Sequence, residues 1–317
     1  MGIVGVRRAL AITVLGLMLA GLTLSGCSEA VDGARAVQTR IGRLHQVVDV
    51  DVTTPGTERT AAITVTYDDS VDQPSVLAGL VAAVVEVADG LKYPAYPLTL
   101  VPATEPASTL TIGGAFPRPA VEDAVLTTWF TLTGALLGSV GYVAGPDGER
   151  ITVDSAGGAA HDLAEVQRIG HGTARTTWVF RAGTATFTMG GRVRPADLGL
   201  FQAVQRNAGV EGQPVWARGW QLDRRSGHVR LDLDLAFGDA GPTLGQLTVA
   251  RYGRTLAPLA HNSLIALDRS RQRAWLTLHS GDDTFAAWAS GQTPGRGRDP
   301  LGRGWDVWLV QQAAGVS

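Results

Sequence analysis

The sequence predicts an α+β fold in which one amphipathic helix and two short strands recur along the chain. Three observations carry that reading. Apolar residues at helical spacing alternate in regular order with apolar residues at a period of two. The resulting helix-strand-strand unit returns at intervals of roughly 40 residues, a period that marks repeated architecture. The helices have one apolar face and the strands alternate apolar with polar, so each element has a single side to bury.

The first unit opens with Ala34 to Leu44, where Val37, Ile41 and Leu44 fall on one helical face. Val48, Val50 and Val52 then alternate with Asp49 and Asp51, and Ile63, Val65 and Tyr67 with Thr64 and Thr66, giving two half-buried strands. Pro74 suits the first turn of the second helix, whose apolar face runs from Val76 to Leu91. Strands follow near Leu98 to Val101 and Leu110 to Ile112. A third helix, Pro119 to Leu137, precedes strands at Val140 to Ala144 and Arg150 to Asp154, joined by the turn sequence Pro146-Asp147-Gly148. The fourth unit is a helix at Ala159 to Ile169 with strands at Thr176 to Arg181 and Thr184 to Met189. The fifth is a helix at Pro195 to Asn207 with strands at Val215 to Leu222 and His228 to Phe237. A sixth helix, Thr243 to Leu256, leads to strands at Ser263 to Leu267 and Arg273 to Leu278. A short helix at Asp282 to Ala289 and a strand at Trp305 to Val310 close the chain.

Read from a shifted starting point, two units give strand-helix-strand-strand-helix-strand, the ferredoxin-like order. The expectation is therefore tandem ferredoxin-like modules, antiparallel sheets with helices on one face. The best joints, proline-rich Pro102 to Pro119 and the pair Gly190-Gly191, divide the chain into modules 34–115, 116–192 and 193–317, the last with an extra helix and strand.

The single cysteine, Cys27, has no partner for an internal disulfide. Before it stand Arg7 and Arg8 and the uncharged apolar run Ala9 to Leu24, the layout of a secretory signal. The stretch Leu24-Ser25-Gly26-Cys27 resembles the lipobox of bacterial lipoproteins, in which Leu, a small residue and Gly or Ala precede the Cys. The resemblance implies that residues 1–26 are a signal peptide and that Cys27 becomes a diacylglycerol-bearing N-terminus, with residues 27–33 as a lipidated tether. The alternatives are a signal anchor, although a spanning helix wants about 20 apolar residues, and an ordinary secretory signal that carries a Cys by chance. Two or more acyl chains anchor a protein stably, so the expected place is the extracytoplasmic face of the cell membrane.

Composition narrows the partners. The formal charge is −2, and loss of Arg7 and Arg8 makes the mature part more acidic, so no basic field favours nucleic acid. Lys92 is the only lysine, and with 40 Gly this composition resembles that of envelope lipoproteins of high-GC bacteria.

Catalytic spacing is missing. His45, His161, His171, His228, His261 and His279 lie far apart with no HExxH, and no cofactor or metal is expected. Gly138-Ser139-Val140-Gly141 lacks the full frame of a nucleophile elbow. Asp68-Asp69-Ser70-Val71-Asp72 lacks the calcium-loop pattern and reads as acidic capping of the next helix. Six of the eight tryptophans lie beyond residue 215, and Trp216 and Trp220 share one face of their predicted strand. They either close the core or offer a stacking platform for a sugar or a partner. Arg296 and Arg298, in the glycine-rich stretch Thr293 to Trp305, are candidate phosphate grips or part of a solvated loop. The expected role is non-enzymatic: a lipid-anchored binding or adaptor protein with an envelope protein as partner. The alternative is a carrier of a lipid or cell-wall glycan between modules.

Overall fold

The computed structural model describes residues 30–56, 59–105, 107–113, 119–155, 157–209, 213–238, 241–292 and 299–316. Residues 1–26, expected to be a signal peptide, together with Cys27, Arg296 and Arg298, lie outside the described residues. The described chain is α+β, with seven α-helices and twelve strands.

Six helix-strand-strand units run in chain order. They are α1 (residues 30–41) with β1 (Val47–Thr53) and β2 (Ala62–Tyr67), then α2 (Pro74–Gly90) with β3 (Leu98–Pro102) and β4 (Thr109–Ile112). Next come α3 (Pro119–Ala135) with β5 (Ser139–Gly145) and β6 (Gly148–Asp154), and α4 (Ala159–Ile169) with β7 (Thr176–Ala182) and β8 (Ala185–Gly190). The last two are α5 (Pro195–Asn207) with β9 (Trp216–Arg225) and β10 (His228–Ala236), and α6 (Val249–Asp268) with β11 (Arg273–Ser280) and β12 (Asp283–Ala289). A seventh helix, α7 (Pro300–Ala314), closes the chain. Residues 30–33, expected in the tether, are the start of α1.

The local signals explain the helix ends. Pro74 follows an extended Gln73, and Leu77, Leu80, Val81, Val84 and Ala88 form the buried stripe of α2. Helix α4 stops at Gly170, whose φ of 72° lets its N–H reach back to the Val166 carbonyl. Asp162 in the first turn of α4 and Arg168 in the last match the helix dipole.

The chain forms two compact units. The first comprises the described residues up to Phe130 with Val143–Pro146, and the second Thr131–Tyr142 with residues from Asp147 on. In the first unit β1 pairs antiparallel with β2, β2 parallel with β3, and β3 antiparallel with β4. In the second, the hairpins β7-β8, β9-β10 and β11-β12 are antiparallel, and the pairs β6-β7, β8-β9 and β10-β11 are parallel.

The expectation of antiparallel sheets is thus corrected to mixed ones. The ferredoxin-like pairing does not hold either. In that split arrangement another strand separates the two strands joined by a helix, whereas here β2 and β3, β8 and β9, and β10 and β11 are direct parallel neighbours. Helices α2, α4, α5 and α6 therefore each span one step of the sheet. Successive right-handed crossovers that all advance in one direction put their helices on one face. In the second unit α4, α5, α6 and α7 pack in a row, each against the next. The alternating burial agrees, with Ile151, Val153, Phe187, Leu222, Leu231, Leu233, Leu276 and Leu278 all buried on the helix side.

Three elements near the C-terminus differ from the sequence expectation. Ser263 to Leu267 is the last third of α6, not a strand. Proline removes a helical hydrogen bond and ends most helices, but Pro258 sits on the exposed side of α6, where water can satisfy the freed carbonyl. Within Asp282 to Ala289, expected as a helix, Asp283–Ala289 is the strand β12, because pairing with β11 overrides the helix preference of its alanines. Trp305 to Val310 lies in α7. Its start is a textual signal: Asp299 accepts from Gly302 N at 2.7 Å and Pro300 takes the first turn.

Candidate functional site

Trp216 and Trp220 do not share a face. In β9 the partner of Asp234 is Gly219 and the partner of Leu235 is Ala217, so Arg218 is an extra residue, a β-bulge. The bulge reverses the alternation. Trp220 lies opposite Leu233 on the helix side, 7% exposed, with its ring edge-on to Phe201 of α5 at 5.4 Å. Trp216 lies opposite Ala236 on the other face. Trp305 and Trp308 are buried in α7, so three of the six late tryptophans serve the core.

The bulge has a packing cause. A Cβ on Gly219 would stand 3.0 Å from the Thr184 carbonyl oxygen, and Thr184 Oγ1 donates to the Arg218 carbonyl. A glycine inside an otherwise regular strand is the sequence signal for such a site.

What the structure does bring together is the helix-free face of β9, β10 and β11. The register sets its rows: Arg225, His228 and Arg273; Asp223, Arg230 and Trp275; Gln221, Asp232 and Thr277; and Gly219, Asp234 and His279. Neighbouring strands lie about 4.8 Å apart, so each row is a short line of side chains in mutual reach. Arg225 Nε lies 3.2 Å from Asp223, Arg230 Nε 2.9 Å from Asp232 Oδ2, and Arg218 Nη2 2.8 Å from Asp234 Oδ1. The His228 and Trp275 rings meet edge to face at 5.8 Å. Among the described residues neither His228 nor Arg273 has a carboxylate within ion-pair distance. One end of the face is therefore cationic and aromatic, and the other is balanced.

His279 joins this face to β12. Its Nδ1 shares a 2.9 Å hydrogen bond with Thr284 Oγ1, and its Nε2 lies 3.7 Å from Asp232 Oδ1. The chain Thr-His-Asp has the composition of a nucleophile, base and orienting acid. Asp232 is already held by Arg230, and the group lies on a sheet face. Its evident effect is to fix the imidazole.

A second polar cluster stands on the helix side at the start of β6 and β7. Glu149 accepts from Tyr142 Oη at 3.0 Å and from Thr176 Oγ1 at 3.0 Å, and meets His171 Nε2 at 2.9 Å. The His171 hydrogen bond, ahead of those from Tyr142 and Thr176, holds the Glu149 carboxyl below its ordinary range. Burial, with Glu149 beside it, pushes the Tyr142 hydroxyl strongly up. These contacts tie the loop after α4 to the sheet. Nothing in the spacing of Tyr142, Glu149, His171 and Thr176 announces the cluster, because the topology alone assembles it.

The two short motifs prove structural. Leu137 N and Gly138 N donate to the buried Asp162 carboxylate at 2.8 and 3.1 Å, and a Cβ on Gly138 would stand 2.7 Å from Ser155 Oγ. Asp68 Oδ1 accepts from Ser70 N at 2.9 Å, a local turn, and α2 has no side-chain cap and no acidic residue in its first turn. The expected acidic capping of α2 is therefore replaced by that turn.

Among the described residues no three His, Cys, Asp or Glu side chains are placed to hold a metal ion, and no helix is long and apolar enough to cross a membrane. In comparisons with known proteins, no family model, curated protein or solved structure matches the chain.

Proposed function

We propose that this chain is a lipid-anchored extracytoplasmic protein of a bacterial envelope that acts by binding another envelope protein, without enzymatic chemistry. The contact surface is the cationic and aromatic end of the helix-free face of β9–β11. The observation that supports it best is the grouping of Trp275, His228, Arg225, Arg230 and Arg273, with Asp223 the one carboxylate among them, on two adjacent rows of one uncovered face. Trp and Arg are the residue types that most often dominate protein contacts. Leu24-Ser25-Gly26-Cys27 supports the anchor.

Two experiments test the two halves. Cys27→Ala should move the protein from the membrane fraction to the soluble extracytoplasmic fraction; retention without acylation overturns the anchor. A photo-crosslinking residue in place of Thr277 should trap one discrete envelope protein in cells, and Arg273→Glu should abolish the adduct. The same adducts from a crosslinker in place of Glu165 on α4, or no adduct from Thr277, sinks the proposed surface.

A further inference from the structure

The first unit holds a cavity of about 290 Å³ at the end of α2, walled by Val85, Leu98 and Ile112 and fronted by Asp89, Tyr93 and Tyr96. Its construction can be followed residue by residue. Helix α2 ends in a double reverse bond: Tyr93 N donates to the Ala88 carbonyl at 2.9 Å and Lys92 N to the Asp89 carbonyl at 2.9 Å. This is the Schellman arrangement, with Lys92 at a φ of 54° in the position that glycine usually takes. Tyr93 is then fixed at its far end, where its hydroxyl donates to the Thr53 carbonyl. Pro94 and Pro97 bracket Ala95 and Tyr96 and restrict the backbone there. The Tyr93 and Tyr96 rings stand 5.6 Å apart between centroids, tilted by 56°.

The electrostatics of the cavity have one sign. Asp89 stands in the last turn of α2, where the helix dipole is negative and a cationic side chain would be favoured, and no basic residue occupies that turn. No described basic group lies within ion-pair distance of Asp89. Burial first, then Asp89 and Tyr93, pushes the Tyr96 hydroxyl up to about 12, so the ring stays neutral. An anion would face a carboxylate and a negative helix end. A bare divalent ion would find one carboxylate where it needs several oxygen ligands. A cation with an apolar body suits these walls, since a tyrosine ring attracts a cation that lies over its face within about 6 Å.

We propose that this cavity binds a small alkylammonium cation, its charged head against the Tyr93 and Tyr96 rings and the Asp89 carboxylate, its carbon body against Val85, Leu98 and Ile112. The site is independent of the protein-contact face in the second unit.

The test uses the full-length chain in a nonionic detergent, labelled with fluorotyrosine, which reports on five tyrosines. Choline is titrated against its neutral isostere 3,3-dimethyl-1-butanol. Choline should shift the Tyr93 and Tyr96 signals alone, and the isostere should bind about tenfold more weakly. Asp89→Asn should weaken choline by several-fold, and Tyr96→Phe, which keeps the ring and the fold, should leave binding nearly unchanged while Tyr96→Leu abolishes it. Equal binding of the isostere, shifts spread over all five signals, or saturating choline without any shift overturns the proposal.

Discussion

Arg224 on β9 donates from Nη2 to Asp197 Oδ2 on α5 across 2.9 Å, and the two residues are 6% and 5% exposed. The pair locks a helix to the sheet from inside the core. Arg224 Nη1 also donates to the Gly190 carbonyl at 3.0 Å, and the Arg194 backbone N–H donates to Asp197 Oδ2 at 2.8 Å.

Removal of one partner leaves a buried charge uncompensated, which typically costs about 3–5 kcal/mol, whereas an apolar pair of similar volume can be neutral. Asp197→Leu alone should therefore lower the urea midpoint of the second unit sharply. Arg224→Met combined with Asp197→Leu should recover most of the loss. A double variant as unstable as the single one would show that the backbone bonds to Gly190 and Arg194 dominate.

Stability should also depend on Glu149 in acid. Its folded carboxyl is held below the ordinary value of 4.5, first by His171 and then by Tyr142 and Thr176. A depressed carboxyl contributes stability that is fully present above the unfolded value and is lost as pH falls through the folded one. Glu149→Gln should be less stable at neutral pH, and its midpoint should change less between the ordinary carboxylate range and lower pH. Denaturant titrations at several acidic pH values measure the two slopes; parallel curves would remove Glu149 from the acid response.

The repeat itself was readable because each unit hides one face. In the first five units the periods of Val37 and Ile41, or of Leu231 and Leu233, have one structural meaning. The sixth broke the rules locally. Pro258 reads as a stop, yet the helix passes through it on the wet side. Trp305 to Val310 reads as a strand, yet its buried members are Trp305, Asp306, Trp308 and Leu309, the spacing of a helix face. The site was less readable still. A strand alternates faces only while its register is unbroken, so one residue inserted at Arg218 moved Trp216 away from Trp220. The row of Arg225, His228 and Arg273 is a product of pairing between strands up to almost fifty residues apart, which no local pattern encodes.

The two tryptophans of β9 should accordingly respond differently to truncation. Trp220→Ala empties a space against Phe201 and should cost about 3–5 kcal/mol. Trp216→Ala, on the half-buried outer side, should cost distinctly less. Thermal unfolding of the two variants decides it, and equal losses would place both rings in the core.

The last helix protects the end of the sheet. Asp306 of α7 is 2% exposed, and its Oδ1 accepts from the Ala287 backbone N–H at 2.8 Å. Strand β12 pairs with β11 on one side, and an uncovered row of N–H groups on an outer strand is a template for pairing with another chain. A buried carboxylate that takes such a donor both satisfies the backbone and denies the edge to a second molecule. Asp306→Ala should lose about 1–3 kcal/mol through the unsatisfied N–H and should increase self-association at high concentration. Asp306→Asn keeps an acceptor oxygen at the same place and should stay closer to the parent in both respects. Sedimentation velocity across a concentration series reads the association. If Asp306→Ala remains as monodisperse as the parent while losing stability, the carboxylate serves packing alone, and the edge is guarded by the rest of α7.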